Sequence, residues 1–477
     1  MSMAPQDQAT VVAQATPPGE GGIAVVRLSG PRALSIAARV FRSRGFPDRV
    51  ESHRAMYGKL IRPLSPETLN SPEGRDVIDH VLALPLLGPR SYTGEDTVEF
   101  FCHGGRVVAS SVVAACCAAG AVAAGPGEFT RRAFLNGKIS LDQAEAVADL
   151  IHAGDETAAR AAIAQLRGGF DRELDRIERP LLELLSEIEG SLEFAADEDM
   201  TVDEQRVVAV LRSACRDTAS LLDMAPAGRL LRDGIQVVLT GPPNVGKSSL
   251  FNALLEEPRA IVDETPGTTR DVVSARLVRG GRTFVLHDTA GLHASADPVE
   301  RKGMDRTRDM VNQADIVLHL VSAEEHPPAH PASPGAGPVL NSDDVSPPVV
   351  VVITKCDLAE SLAEEEESPG SRLVKTSSSS GAGLNELWSV LEGVASGYRI
   401  AEAVSLGVVI NDRHRAKLSS SLTELTELVR LVEEGNVGQE ITASMLAGIL
   451  AELGEVSGRV FTEHVLAAVF GRFCVGK

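Results

Sequence analysis

The chain has 477 residues, 43% of them apolar and only 4% aromatic, so there is room for about three domains, with cores filled mainly by Leu, Val and Ala. A formal net charge of −20 argues against a surface built for sequence-independent nucleic-acid binding, so DNA is not an expected partner, though a local basic patch stays open. No stretch reaches the roughly 18 uninterrupted apolar residues of a membrane span, the six cysteines show no C-x-x-C spacing for zinc and no disulfide framework, and the opening residues read as neither signal nor transit peptide; a cytoplasmic protein without a membrane partner is expected.

Up to about residue 138 the pattern is mixed α/β, with strands predicted over Gly22–Leu28, Val77–Leu84 and Thr97–Phe101. From Leu141 to Phe194 the chain has little Gly or Pro, and its apolar residues recur at three and four: Leu150, Ala153, Ala158 and Ala162, then Leu181, Leu184, Ile188 and Leu192. That predicts long amphipathic helix, broken or kinked at Pro180. Mid-chain, the apolar strand Ile235–Thr240 runs into Gly241-Pro-Pro-Asn-Val-Gly-Lys-Ser248, a G-x-x-x-x-G-K-S phosphate loop, and the helical stretch Ser249–Leu255 follows. Glycines let main-chain N–H groups wrap a phosphate, and the helix adds its positive end. Lys247 reaches the outer phosphates and the Ser248 hydroxyl holds Mg²⁺. A chance glycine-rich turn would not come framed by that strand and that helix.

Three further stretches fall in the order a GTPase needs. Gly267-Thr-Thr-Arg-Asp271 lies where a switch loop closes over the metal, with Thr269 the second hydroxyl for Mg²⁺. Asp288-Thr-Ala-Gly291 follows the strand Thr283–His287; Asp288 acts on Mg²⁺ through water, and the Gly291 N–H meets the γ-phosphate. Thr354-Lys-Cys-Asp357 follows the strand Val349–Ile353, and the Asp357 carboxylate accepts two N–H bonds that guanine offers and adenine does not. Ser377 and Ser378, after Leu373–Thr376, close the base pocket with main-chain N–H groups. The base-reading motif begins with Thr354 where Asn is usual, which keeps a hydroxyl but loses the amide. The contacts expected for GTP are thus Asn244, Val245, Gly246, Lys247, Ser248 and Ser249, Asp263 through Thr269 (Glu264, Thr265, Pro266, Gly267 and Thr268 between them), Asp288, Thr289, Ala290, Gly291, Thr354, Lys355, Asp357, Ser377 and Ser378.

Leu292 stands where many GTPases place a water-orienting Gln, so the catalytic group must come from elsewhere, the polar stretch Asp297–Arg301 being nearest. A bound monovalent cation is another way to place positive charge between phosphates; the Asn244 side-chain oxygen suits one, and Asn244 as a plain turn residue is the alternative. Beyond the GTPase motifs, Ile410 to Leu453 is helical again, with Leu418, Leu422, Leu425, Leu428 and Leu431 in one stripe. The economical picture is a helical domain built from both flanks with an α/β GTPase domain inserted. Residues 324–348 read as a Pro-rich surface loop and Glu364–Ser368 as a solvated acidic run.

Several stretches taken together resemble the bacterial tRNA modification GTPase family, MnmE (TrmE): Val12–Gly19, Gly21–Arg27, Ser91-Tyr-Thr-Gly-Glu-Asp96 with Glu99 and His103-Gly-Gly105, Pro126–Asn136, Gln143–Ile151 and the ending Phe473-Cys-Val-Gly-Lys477. The resemblance covers nearly the whole chain. It implies a multidomain α/β plus α protein: an N-terminal α+β folate-binding and dimerisation domain (1–138), a discontinuous helical domain (139–232 and 398–477) and an inserted Ras-like P-loop G domain (233–397). It further implies a homodimer that joins a flavoprotein partner, MnmG (GidA), with its FAD and NADH, in a heterotetramer acting on the tRNA anticodon region. The implied chemistry adds an aminomethyl-type group, carboxymethylaminomethyl among them, to C5 of the wobble uridine. A 5-formyl- or methylene-tetrahydrofolate supplies the carbon, and GTP hydrolysis drives closure of the G domains. Carried onto this sequence, folate contacts fall on Arg27, Glu99, Lys138 and Lys477. Glu300 takes the place of the water-orienting glutamate, and K⁺ falls to the Asn244 side chain, the Asp263 and Thr265 carbonyls and Thr268. Cys474 is a candidate for chemistry or positioning near the modified base, or is a buried tail cysteine. The rival class is a GTP-timed ribosome-assembly or RNA-binding switch of the Era/EngA type; those proteins lack the N-terminal stretches and the Cys-Val-Gly-Lys ending, and usually carry a basic RNA-binding domain not visible here.

Overall fold

The computed structural model describes residues 9–63, 76–193, 202–256, 273–289, 309–323, 347–358 and 373–477. Two compact units result, one of residues 1–148 with 454–477, the other of residues 149–453.

The first unit is built on a seven-stranded sheet. Its strands are β1 (Val11–Gln14), β2 (Ile23–Ser29), β3 (Phe41–Arg42), β4 (Met56–Ile61), β5 (Val77–Leu86), β6 (Thr97–His103) and β7 (Val122–Ala123), in the order β3-β4-β5-β6-β2-β1-β7. All pairings are antiparallel except β1 with β7. Alternation sorts the side chains by face. Ala24, Val26 and Leu28 of β2, Val98 and Phe100 of β6 and Val81 and Ala83 of β5 are buried with the apolar sides of α1 (Ala33–Val40) and α2 (Arg106–Ala118) in one core. The opposite face carries a cross-strand row, Val25–Phe101–Leu82–Tyr57, and beside it the row Arg27–Glu99–Leu84. Tyr57 and Leu82 are exposed there, at 65% and 47%. Helix α3 (Glu128–Leu135), the start of α4 (Leu141–His152) and the C-terminal helix Glu463–Phe470 share a second core of Phe134, Leu141, Leu466, Phe470 and Phe473.

The tail beyond that helix is woven into the same unit. Val475 forms a bridge with Pro126, and the Phe129 N–H donates to the Lys477 main-chain oxygen at 3.1 Å. A Cβ at position 476 would lie 2.0 Å from the Gln14 carbonyl oxygen, so only glycine lets the tail pass that close.

The long amphipathic helix expected over 141–194, broken or kinked at Pro180, is three helices that begin in the first unit and continue in the second. Helix α4 ends at His152, α5 spans Glu156–Leu166 and α6 Gly169–Glu193. Asp155 starts α5 by accepting from the Ala158 N–H at 2.8 Å. Pro180 neither breaks nor ends α6, which runs through it for 25 residues. Proline removes one ladder bond, but the buried stripe Ile177, Leu181, Leu184, Leu185 and Ile188 on either side holds the helix together. Helices α7 (Glu204–Leu222) and α8 (Ala225–Asp233) follow. Leu418, Leu425 and Leu428 of the expected stripe are fully buried in the helix Asp412–Glu433.

The same unit holds a six-stranded sheet of β8 (Ile235–Thr240), β9 (Val273–Arg279), β10 (Arg282–Asp288), β11 (Ile316–Ser322), β12 (Val349–Thr354) and β13 (Leu373–Lys375). Its order is β13-β12-β11-β8-β10-β9, parallel except for the β9–β10 hairpin. Parallel strands are buried on both faces and read as continuous apolar runs, as Val349–Ile353 does. The core joins β8, β10, β11 and β12 to α9 (Lys247–Leu255) and the helix Leu384–Ser396, whose Trp388 meets Phe284 edge-on at 5.3 Å. No described helix is long and apolar enough to cross a membrane.

Candidate functional site

Open parallel sheets bind ligands at the carboxyl ends of their strands, and the motif residues sit there. β8 ends in the phosphate loop. Gly241 has φ +141°, and a Cβ there would lie 2.6 Å from the Leu320 carbonyl oxygen, so the loop can turn tightly only with glycine. Asn244 has φ +64°, and Gly246 precedes α9, so successive main-chain N–H groups turn toward a common concavity. Lys247 is 4% exposed, and its ammonium donates to the carbonyls of Gly241 and Pro242 at 3.0 and 2.8 Å. Burial lowers its pKa, and the nearby Asp288 charge opposes that shift. The Ser248 hydroxyl donates to Asp288 Oδ2 at 2.6 Å. The two groups expected to serve one magnesium ion, one directly and one through water, are therefore already side by side, which is the arrangement such an ion requires. Thr289, one residue on, donates its hydroxyl to the Leu239 carbonyl at 2.7 Å and ties the end of β10 to β8.

At the end of β12, the Thr354 hydroxyl donates to the Val245 carbonyl inside the phosphate loop at 2.5 Å. The residue that departs from the usual Asn thus holds the base-reading segment to the phosphate loop. Lys355 follows with φ +59°. Asp357 is exposed, and its two carboxylate oxygens accept from the hydroxyls of Ser377 at 2.7 Å and Ser379 at 2.9 Å. Those two bonds hold its carboxyl below the usual range. The Ser377 N–H, expected to face the base, donates instead to the Ala382 carbonyl at 3.0 Å, so Ser377 offers its hydroxyl; Ser378 lies half-buried beside it. Ser379 was not singled out in the sequence, where the run Ser377–Ser380 offers four similar hydroxyls; the turn selects those of Ser377 and Ser379. Val245 and Ser249 sit in the loop and in the first turn of α9. Asp263, Glu264, Thr265, Pro266, Gly267, Thr268, Thr269, Ala290, Gly291 and Glu300 lie outside the described residues, as do Leu292, the Pro-rich run up to residue 346 and the acidic run.

A second set of expected residues gathers in the first unit. Arg27 and Glu99 are directly opposed on β2 and β6, with Nε to Oε1 at 2.8 Å and side chains 16% and 13% exposed. The Arg27 guanidinium also lies over the rings of Tyr92 and Phe129, at 5.3 and 5.4 Å from their centres. Phe129 is the residue whose N–H receives the tail at Lys477. Lys138 reaches the same loop, donating to the Pro89 carbonyl at 2.9 Å. Arg27, Lys138 and the Lys477 main chain therefore each touch the stretch Pro89–Gly94 or α3, and Glu99 joins them through Arg27. Tyr92 and Phe129 were legible only as parts of longer stretches. So was Arg132, fully buried between Glu95 and Glu128 at 3.1 and 2.9 Å, which fixes α3 against the loop. Cys474 is exposed, so the reading of a buried tail cysteine does not hold.

Sheet order, glycine cradle, paired Ser248 and Asp288, and the Asp357 carboxylate define the class: a P-loop GTPase. A family model described as the MnmE helical domain matches residues 141–474, and one described as the GTP-binding protein TrmE N-terminus matches residues 10–138. The tRNA modification GTPase MnmE of Syntrophotalea carbinolica is 38% identical, covering 98% of this chain and 99% of that one. Its namesake in Symbiobacterium thermophilum is 39% identical over the same shares. The G domain of the T. maritima FeoB iron transporter is 26% identical over 34% of this chain and 98% of that one, with a TM-score of 0.24, too low to bear on function. The chain belongs to the tRNA modification GTPase MnmE family and is a GTP hydrolase.

Proposed function

We propose that the chain hydrolyses GTP in the modification of tRNA, helping a flavoprotein of the MnmG (GidA) family to install an aminomethyl-type group at C5 of the wobble uridine. The observation that carries this is the coexistence of two built sites: the Ser248–Asp288 pair beneath a glycine cradle, and the Arg27–Glu99 pair caged by Tyr92 and Phe129. In the first, Lys247 shifts from the loop carbonyls to phosphate oxygens and Asp357 reads guanine. Magnesium, when bound, supplies charge between the phosphates and is held by Ser248 and Thr269. Potassium belongs to Asn244, the Asp263 and Thr265 carbonyls and Thr268, and Glu300 orients the attacking water, since Leu292 cannot.

In the second site, Glu99 is suited to the N–H edge of a pterin, and Arg27, Lys138 and Lys477 to the anionic tail of a tetrahydrofolate. A homodimer is the natural partner for the open sheet face, whose row Val25–Phe101–Leu82–Tyr57 adjoins Arg27 and Glu99; the N-terminal domain 1–138, the helical parts 139–232 and 398–477 and the G domain 233–397 would then meet through the first of these. A cytoplasmic setting follows from the substrate.

The test is in vitro modification of a tRNA bearing an unmodified wobble uridine, with this chain, the flavoprotein, GTP and a tetrahydrofolate, read by nucleoside mass spectrometry. A C5-aminomethyl-type uridine is expected. Arg27→Ala should weaken folate binding by about 10- to 100-fold, as the loss of a bond to a charged group does. No product with the unaltered chain would overturn the reading.

A further inference from the structure

The N-terminus of α5 and the turn of the β9–β10 hairpin grip each other through two adjacent side chains. Asp155 divides its carboxylate: Oδ1 accepts from the Ala158 N–H at 2.8 Å and caps α5, while Oδ2 accepts from both the N–H and the hydroxyl of Thr283, each at 2.7 Å. Two residues on, the Thr157 hydroxyl donates to the Gly281 carbonyl at 2.6 Å. Gly154 allows the approach, since a Cβ there would stand 3.1 Å from the Thr283 hydroxyl. Thr283 is 7% exposed, so these are sheltered, charge-assisted bonds of the stronger kind.

The far end of the same strand is the nucleotide site. β10 runs from Arg282 to Asp288, paired with β9 along its length and with β8 from Phe284 onward, and Asp288 holds the Ser248 hydroxyl. From Thr283 to Asp288 is a rigid span of about 17 Å at roughly 3.3 Å per residue. On its other side the turn is fixed to the helix Leu384–Ser396, where Arg282 donates to the Ser396 hydroxyl at 3.2 Å. The hairpin turn is thus held on two sides, and α5 meets it through side-chain bonds to Thr283 and Gly281. The end of α8 is held separately, where Arg276 of β9 donates to the Asp233 carbonyl at 2.9 Å.

We propose that Asp155 and Thr157 are the positioning residues that couple the nucleotide site to the helical part of the chain, with α5 as the output. This rests on the GTPase reading of the β8–β10 site. A ligand that binds only the folded site raises the cost of every opening that breaks the site. If α5 opens together with the hairpin, its first turn gains the same protection; the clasp is what makes the two open as one unit.

The test is amide hydrogen exchange on the full chain, with and without Mg²⁺ and a non-hydrolysable GTP analogue. In the unaltered chain the analogue should slow exchange at both Thr283 and Ala158, the two amides that share the Asp155 carboxylate, by about tenfold or more. Asp155→Ser keeps a capping oxygen but is too short to reach Thr283. In it, the slowing at Thr283 should persist and that at Ala158 should fall below twofold. Thr157→Val with Thr283→Val leaves the cap and all strand bonds in place and guards against simple misfolding; it should reduce the Ala158 response by about half on a logarithmic scale, with an unchanged KM for GTP. A full Ala158 response in both variants, or none in the unaltered chain while the analogue binds, overturns the clasp. Failure of the analogue to bind at all would instead overturn the GTPase reading.

Discussion

Lys247→Ala should lower kcat/KM for GTP by about 10³-fold, the scale seen when a preorganised donor to developing charge is removed. The ammonium is nearly buried and is held on the lip of the phosphate loop by the carbonyls of Gly241 and Pro242. Those neutral acceptors are weaker partners than phosphate oxygens, so GTP takes the ammonium from them at little cost. Once bound, the cation meets charge that grows on the outer phosphates as the bond breaks, a gain made chiefly in the transition state. Lys247→Arg should not rescue, because a planar fork cannot enter the space a compact ammonium fills. The fold should survive, since the two carbonyls released lie at the open side of the loop. Thermal unfolding separates the effects: the variant alone should melt near the unaltered chain, while the rise in Tm that GTP and Mg²⁺ give the unaltered chain should be lost. A variant that hydrolyses GTP within tenfold of the unaltered rate would remove Lys247 from the chemistry.

Asp357→Asn should exchange guanine for xanthine as the preferred base. The carboxylate is positioned by hydroxyls of Ser377 and Ser379, both of which can rotate to accept from an amide, so the substitution leaves the turn intact. Guanine loses two bonds from its N1–H and 2-amino groups to a charged acceptor, each about 1.5–3 kcal/mol, so GTP affinity should fall by roughly 10²- to 10⁴-fold. Xanthine carries a carbonyl where guanine carries the amino group and can accept from the new amide. Competition binding with GTP, XTP and ATP reads this directly. Retained preference for GTP would mean that Asp357 does not touch the base.

Much of this site was legible because phosphate and guanine recognition each demand particular atoms at strand ends. A lysine and a serine after two glycines, an Asp after an apolar run and an Asp three residues past a Val-rich strand leave few other readings. What the residues did not disclose was the use of hydroxyls. Thr354 looked like a weakened Asn, yet its hydroxyl donates into the phosphate loop at Val245; the partner is more than a hundred residues away, and no local pattern announces it. Ser379 escaped for the opposite reason, in that a serine run offers several equivalent hydroxyls and only the turn selects among them. The helical boundaries failed at Pro180 because burial on both sides outweighs one missing ladder bond. They failed at Asp155 because a cap residue inside a continuous amphipathic pattern is a subtler signal than the periodicity around it. The first unit was the hardest to read. Arg27 and Glu99 are seventy-two positions apart and become a pair only through the β2–β6 register. The aromatic walls around Arg27 come from a loop and a helix that share nothing in local sequence.

The most direct test of the account is the GTP hydrolysis rate of the purified chain in potassium buffer against matched sodium buffer, with Glu300→Ala alongside. A large rise in potassium, lost in Glu300→Ala, is the predicted result, since Leu292 leaves the chain without a water-orienting amide at that position and a cation held by Asn244 supplies the missing positive charge. Equal rates in the two salts, or full activity in Glu300→Ala, would contradict it.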